Sequence, residues 1–278
     1  MTLSQTASIM IIASGAAHAV VNAILKSGQD KMSSRALMDG FSALILLPFA
    51  FVVPLPDHAW GWLAASGVVH FLYLFCLIRA FESADMTVAY PIARGVAPAL
   101  AASVAVGVFG EPISAMTALG AALVSAGVLT VGLGRHVERK ALGWALACGV
   151  FIALYTVLDA KGVRAAPTAF SYIIWIYLAD GLVIGVIFAL WRGPRFLFAA
   201  RSQWKPGLIA GGFSIDTYGL ALWAYRLADI PRLAALRETS ILFGVGIAIL
   251  FLKERVTRGR LVGILTIAVG AATLLAAG

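Results

Sequence analysis

Charge is scarce in this sequence. Asp, Glu, Lys and Arg make up 12% of its 278 residues, against 61% that are apolar, and the mean hydropathy is +0.94. Soluble domains carry about a quarter of their residues as charges, so this balance excludes an ordinary water-soluble fold and marks a chain solvated mainly by lipid. Acidic residues are the scarcer sign, 13 against 21 basic, which leaves a net charge of +8. Such an excess can attract nucleic acid. Here, however, the basic residues are strewn between apolar runs whose short connections leave no room for a polar domain, and no nucleic-acid partner is expected.

Residues that carry chemistry are few as well. The four histidines, His18, His58, His70 and His136, form no HExxH or comparable spacing, and no Walker A pattern occurs. A zinc hydrolase and direct energisation by ATP are therefore not expected, nor is any metal or cofactor. Cys76 and Cys148 fall inside apolar segments, where a small polarizable side chain packs well; a disulfide is not expected. The opening MTLSQTA lacks the basic start of a cleavable signal, so the first apolar segment is expected to be retained.

What the sequence has in quantity is long apolar runs. A span needs about 20 largely apolar residues, and ten segments qualify: roughly 5–25, 34–53, 59–79, 86–109, 114–133, 141–158, 168–191, 206–226, 231–252 and 260–277. Trp60, Trp62, Trp144, Trp191 and Trp204 fall near segment ends, as in an aromatic belt. The stretch from Arg192 to Lys205, basic and containing Pro194, reads as a surface loop. Connections after the odd-numbered segments hold 15 basic residues and those after the even-numbered ones 4. By the positive-inside rule the first set is cytoplasmic and both termini face outward.

The two halves are weak copies of each other. Gly67 and Asp85 recur as Gly211 and Asp229 at an offset of 144, and Arg94, Glu111, Gly120, Gly127 and Thr130 recur as Arg237, Glu254, Gly263, Gly270 and Thr273 at 143. Two repeats with an odd number of crossings each must lie inverted with respect to one another, an architecture found in secondary transporters with a midplane site at the repeat interface. The expected fold is all-α integral membrane, ten transmembrane helices in two inverted five-helix repeats, residues 1–135 and 136–278.

The stretches AYPIARGVAP (89–98), GEPISAMTALGAALVSAGV (110–128) and LRETSILFGVGIAILFLKERVTRGRLVGILTIAVG (236–270), with IALYTVLDAKGVR (152–164), resemble the two halves of an EamA-type member of the drug/metabolite transporter superfamily. The resemblance implies a ten-helix basket around a central cavity lined mainly by the first, third, fourth, sixth, eighth and ninth helices, and transport of small metabolites such as amino acids, sugars, nucleobases or sugar phosphates. One departure is Pro112 in the first turn where the second has Arg255.

Ionisable groups at membrane depth cost several kcal/mol unless paired or wetted, so each is a candidate for function. Ser14, His18 and Asn22 recur every four residues and share a face, which suits either a cavity wall or hydrogen bonds between helices. Tyr90 and Arg94 share a face on a segment broken by Pro91 and Pro98. A guanidinium fork suits a carboxylate or phosphate, whether from a substrate or from the protein. Its copy Arg237 is followed by Glu238, Thr239 and Ser240, and the helix matching the first offers Tyr155 and Asp159. Asp159, close to Lys161 and Arg164, reads as a solvated ion pair. Asp39 and Asp180 occupy matching positions and read as structural, pairing with Arg94 or Arg237 or capping a neighbour. Gly181 and Gly185 form a GxxxG packing face. Asp216 is the candidate proton- or cation-binding carboxylate, with a buried hydrogen-bonded Asp as the alternative. Glu111 and Glu254 read as helix caps.

The candidate substrate-binding set is therefore His18, Asn22, Tyr90, Arg94, Tyr155, Asp216, Arg237 and Ser240. The expected function is a secondary active transporter moving an amino acid or another solute bearing a carboxylate or phosphate by alternating access, with a proton or cation as candidate coupling ion. Its expected location is a bacterial-type inner membrane. An intramembrane enzyme or a non-transporting assembly partner is the alternative.

Overall fold

The computed structural model describes residues 2–27, 30–83, 86–132, 138–250 and 257–278; Asp85, Arg135, His136, Lys253, Glu254 and Arg255 lie outside them. Backbone polar groups in hydrocarbon must be satisfied within their own segment, and every long apolar run is accordingly helical. In chain order these are α1 (Leu3–Ser27), α2 (Lys31–Leu46), extended by a 3-10 turn (Leu47–Phe51), α3 (Trp60–Ser83), α4 (Met86–Gly107), α5 (Ala115–Gly132) and α6 (Arg139–Ala165). Then follow α7 (Ala169–Arg192), α8 (Pro194–Leu227), α9 (Ile230–Leu236), a 3-10 turn (Arg237–Thr239), α10 (Ser240–Leu250) and α11 (Arg258–Ala276). Among the described residues seven helices are long and apolar enough to cross a membrane.

Two expectations change. The 192–205 stretch is not a loop: α8 starts at Pro194 and runs unbroken to Leu227. Proline at the first helical position loses no hydrogen bond, and the break between α7 and α8 is confined to Gly193, whose φ of +56° suits a residue without a Cβ. The ninth apolar segment, in turn, is interrupted at Arg237–Thr239, whereas its first-half counterpart α4 remains one helix through Pro91 and Pro98.

Glycines bring the two halves into contact. A Cβ on Gly120 would lie 3.1 Å from the Gly270 carbonyl oxygen, and one on Gly127 2.8 Å from that of Gly263. Rising numbers in α5 meet falling numbers in α11, so these two matching helices pack antiparallel with backbones nearly touching. The same holds for α2 and α7. A Cβ on Gly181 would meet the Asp39 carbonyl oxygen at 2.7 Å, and one on Gly185 the Ala36 carbonyl oxygen at 3.5 Å. Small residues permit this approach, and van der Waals packing then supplies the cohesion that hydrocarbon solvent cannot. The GxxxG reading of Gly181 and Gly185 is thus realised against α2. Arg192 at the end of α7 clamps Asp30, the N-cap of α2, with Nη2 to Oδ1 at 2.7 Å and Nε to Oδ2 at 3.0 Å.

Two further large contacts, α3 with α6 and α1 with α8, are reciprocal under the match of first to sixth and third to eighth segments. At one end of the bundle Arg164 donates to the Tyr225 and Ala228 carbonyls at the end of α8, while Arg226 donates to the Val163 and Ala166 carbonyls at the end of α6. Each helix thereby satisfies the last-turn carbonyls of the other, which have no intrahelical donor.

Candidate functional site

The polar residues of these helices converge on a central cavity of about 100 Å³. Its walls come from α1, α2, α3, α4, α6, α7, α8 and the Arg237–Thr239 turn, so α2 and α7 join the helices expected to line it. Six of the eight candidate residues face it: His18, Asn22, Tyr90, Arg94, Tyr155 and Arg237. The α1 stripe points inward as one face. Ser14 donates to the Thr217 carbonyl, and His18 Nε2 and Asn22 Nδ2 approach the Tyr90 hydroxyl at 3.1 and 3.5 Å.

Ser240 and Asp216 stand apart from the cavity wall. Ser240 is buried next to it and accepts a hydrogen bond from Arg94 Nη2 at 3.2 Å. Asp216 is exposed on α8. Ser214, Thr217 and Tyr218 are the α8 residues at the cavity, and at 100° per residue Asp216 points about 200° away from Tyr218.

The two intramembrane arginines are not equivalent. Arg94 Nε lies 2.9 Å from Glu238 Oε2, an ion pair whose two atoms lack hydrogen-bond geometry. Arg237 is 7% exposed, and its Nε has no hydrogen-bond partner. Its guanidinium sits 4.9 Å from the ring centroid of Tyr218. Among the described residues no carboxylate lies within ion-pair distance of it, and the cavity contains it on one side.

Other acids take unexpected partners. Asp39 pairs with Arg35 on its own helix, Nε to Oδ2 at 2.7 Å, rather than with Arg94 or Arg237. Asp180 lines the cavity, with Oδ2 3.8 Å from His70 Nδ1. Asp159 is not solvated. It is fully buried and accepts from the hydroxyls of Tyr172, at 2.7 Å, and Tyr218, because α6 continues past it to Ala165 and turns it inward. Lys161 and Arg164 instead grip Glu111, each at 2.6 Å. Glu111 is therefore a clamp between the α4–α5 connection and α6, not a cap. Burial would raise its carboxyl, but the Lys161 and Arg164 contacts outweigh this and hold it below the usual range.

Sequence reasoning passed over Tyr73, Tyr177, Tyr218 and Arg35 as cavity residues. Tyr177 and Asp180, three apart, share a face of α7, as do Ser214, Thr217 and Tyr218 on α8. That periodicity is present in the sequence, but a tyrosine in an apolar run looks like ordinary packing until the opposite wall is known.

A helical membrane bundle folded around a polar, arginine-bearing cavity defines a class: multi-pass membrane transport proteins. The chain belongs to the EamA-like transporter family, whose model matches it twice, over residues 5–133 and 139–276. It is thus a transporter of the drug/metabolite type and an integral membrane protein. No match was found among curated proteins. A crystal structure described only as that of a protein shares the fold, with a TM-score of 0.72 over 97% of this chain and 95% of that one, at 16% identity.

Proposed function

We propose that the protein is a secondary active transporter that carries a small organic anion through the central cavity by alternating access, with ten crossings arranged as two inverted five-helix units. One observation carries the anion: Arg237, buried, open to the cavity and, among the described residues, without a carboxylate within ion-pair distance. An uncompensated buried charge costs several kcal/mol, and a carboxylate or phosphate arriving there would complete its guanidinium fork. The interruption of the ninth segment at this residue supports the same reading, since broken helices place polar groups at transporter sites. The antiparallel packing of α5 with α11 and of α2 with α7 supports the inverted arrangement. The charge bias of the connections favours cytoplasmic residues 192–205, and the membrane proposed is a bacterial-type inner membrane. Cysteines introduced at 192–205 should resist an impermeant thiol reagent added to intact cells.

A carboxylate of only a few heavy atoms suits a cavity of about 100 Å³. In proteoliposomes, uptake of acetate, lactate or pyruvate should fall at least about tenfold on Arg237→Met, with most of the activity retained in Arg94→Lys only if the contact to Glu238 survives. Undiminished uptake by Arg237→Met would refute the anion reading.

A further inference from the structure

Three titratable groups beside the cavity remain unused by the reading above. His70 of α3 stands between two carboxylates, its Nδ1 3.8 Å from Asp180 Oδ2 and its Nε2 4.0 Å from Asp159 Oδ2. The imidazole is held in place. Nδ1 lies 3.1 Å from Ser66 Oγ and 3.2 Å from the Ser66 carbonyl oxygen, and the ring stacks on Tyr155 with centroids 4.2 Å apart. Asp159 is dry, whereas the Asp180 side chain is 19% exposed and lines the cavity. The three form a row from the cavity surface into the protein.

The charges around this row decide what it can do. On α2, Arg35 and Asp39 neutralise each other at 2.7 Å, and Arg94 of α4 and Glu238 do so at 2.9 Å. The hydroxyls facing the row from α3, α6, α7 and α8 are those of Tyr73, Tyr155, Tyr172, Tyr177 and Tyr218, and His18 of α1 is engaged with Tyr90. What remains is Arg237 with one positive charge, Asp159 and Asp180 with two negative ones, and His70. A proton on His70 makes the site neutral. A monovalent anion docking on Arg237 would then leave one buried negative charge, which a low-dielectric interior tolerates poorly. One further proton on the row, on the cavity-facing Asp180, restores neutrality.

Arg237 and the row are also joined by contact. The ring of Tyr218 carries the Arg237 guanidinium at 4.9 Å, and its hydroxyl donates to Asp159. We infer that binding of a monovalent organic anion at Arg237 is linked to uptake of one proton by the Asp180–His70–Asp159 row, so that anion and proton cross together. The inference rests on the anion reading of Arg237, and its test separates the two.

Acetate, lactate and pyruvate, all ionised between pH 6 and 7.5, are titrated into the purified protein by calorimetry in two buffers of different ionisation enthalpy. The expected result is uptake of about one proton per anion and an affinity that rises up to about tenfold per unit fall in pH, the slope that linkage to a single proton gives. The double variant Asp180→Asn with His70→Gln, which leaves only the dry Asp159 engaged by two tyrosine hydroxyls, should bind with proton uptake near zero and a flattened pH dependence. If the double variant fails to fold, the wild-type proton count still decides. Anion binding by the wild type without proton uptake overturns the linkage and leaves the Arg237 reading intact; no binding of any of the three anions at either pH overturns both.

Discussion

Arg94 forms its ion pair with Glu238, the residue immediately after Arg94's own repeat copy, Arg237. The arginine of the first repeat thus occupies the carboxylate next in sequence to the arginine of the second, and the symmetry of the two repeats is broken at the cavity. A substrate without twofold symmetry requires such an imbalance.

Removing either partner of that pair strands a buried charge, which costs about 3–5 kcal/mol. Glu238→Gln and Arg94→Met should therefore each lower the thermal midpoint in detergent strongly. The double variant should be less destabilised than the sum of the two. Strict additivity in this cycle would mean that the 2.9 Å contact contributes nothing.

The α5–α11 seam predicts a sharp contrast between glycines. Gly127→Ala would place a methyl 2.8 Å from the Gly263 carbonyl oxygen and 2.7 Å from Ile267 Cγ1, and overpacking of this kind costs about 1–3 kcal/mol. Gly143→Ala on α6 meets nothing within 4 Å and should be neutral or stabilising by about 0.5–1 kcal/mol. Comparing their thermal midpoints checks the close approach directly.

Asp216 offers a control for the coupling row. Being exposed on α8 and away from the cavity, its Asp216→Asn variant should keep wild-type pH dependence in anion uptake. Loss of that dependence would return the coupling role to this residue.

Glu111 should give the bundle an acid-sensitive clamp. Its carboxyl is held below the ordinary value by Lys161 and Arg164, so its stabilisation is fully present above the unfolded-state pKa and is lost as pH falls through the folded one. Glu111→Gln should cost about 1–3 kcal/mol near pH 7, the range for hydrogen bonds to charged groups. The difference from wild type should begin to shrink as the pH falls through the ordinary carboxylate range and vanish only below the depressed folded value, as followed by thermal unfolding against pH.

Much of the architecture was legible because lipid imposes it. The all-helical, membrane-embedded character, the spacing of Ser14, His18 and Asn22, and the repeat of Gly120 and Gly127 as Gly263 and Gly270 all follow from rules with one period and one solvent. Local pattern was also enough to direct Tyr90, Arg94, Tyr155 and Arg237 to the same region, since a charge in an apolar run has few places to go.

The partners were decided only by the tertiary structure. Nothing in the order of residues states that Arg94 takes Glu238 while Arg237 takes no carboxylate among the described residues, that His70 stands between Asp159 and Asp180, or that Asp216 points away from its helix neighbour Tyr218. A polar residue on a helix has its direction set to within one face by the backbone, but the group it meets belongs to another helix whose rotation and depth depend on packing along the whole bundle. The sequence by itself determined a lipid-solvated, twofold-repeated helical chain with charges that must turn inward; only the packing of one helix against another determined which of those charges cancel, as Arg94 and Glu238 do, and which face the cavity, as Arg237 and Asp180 do.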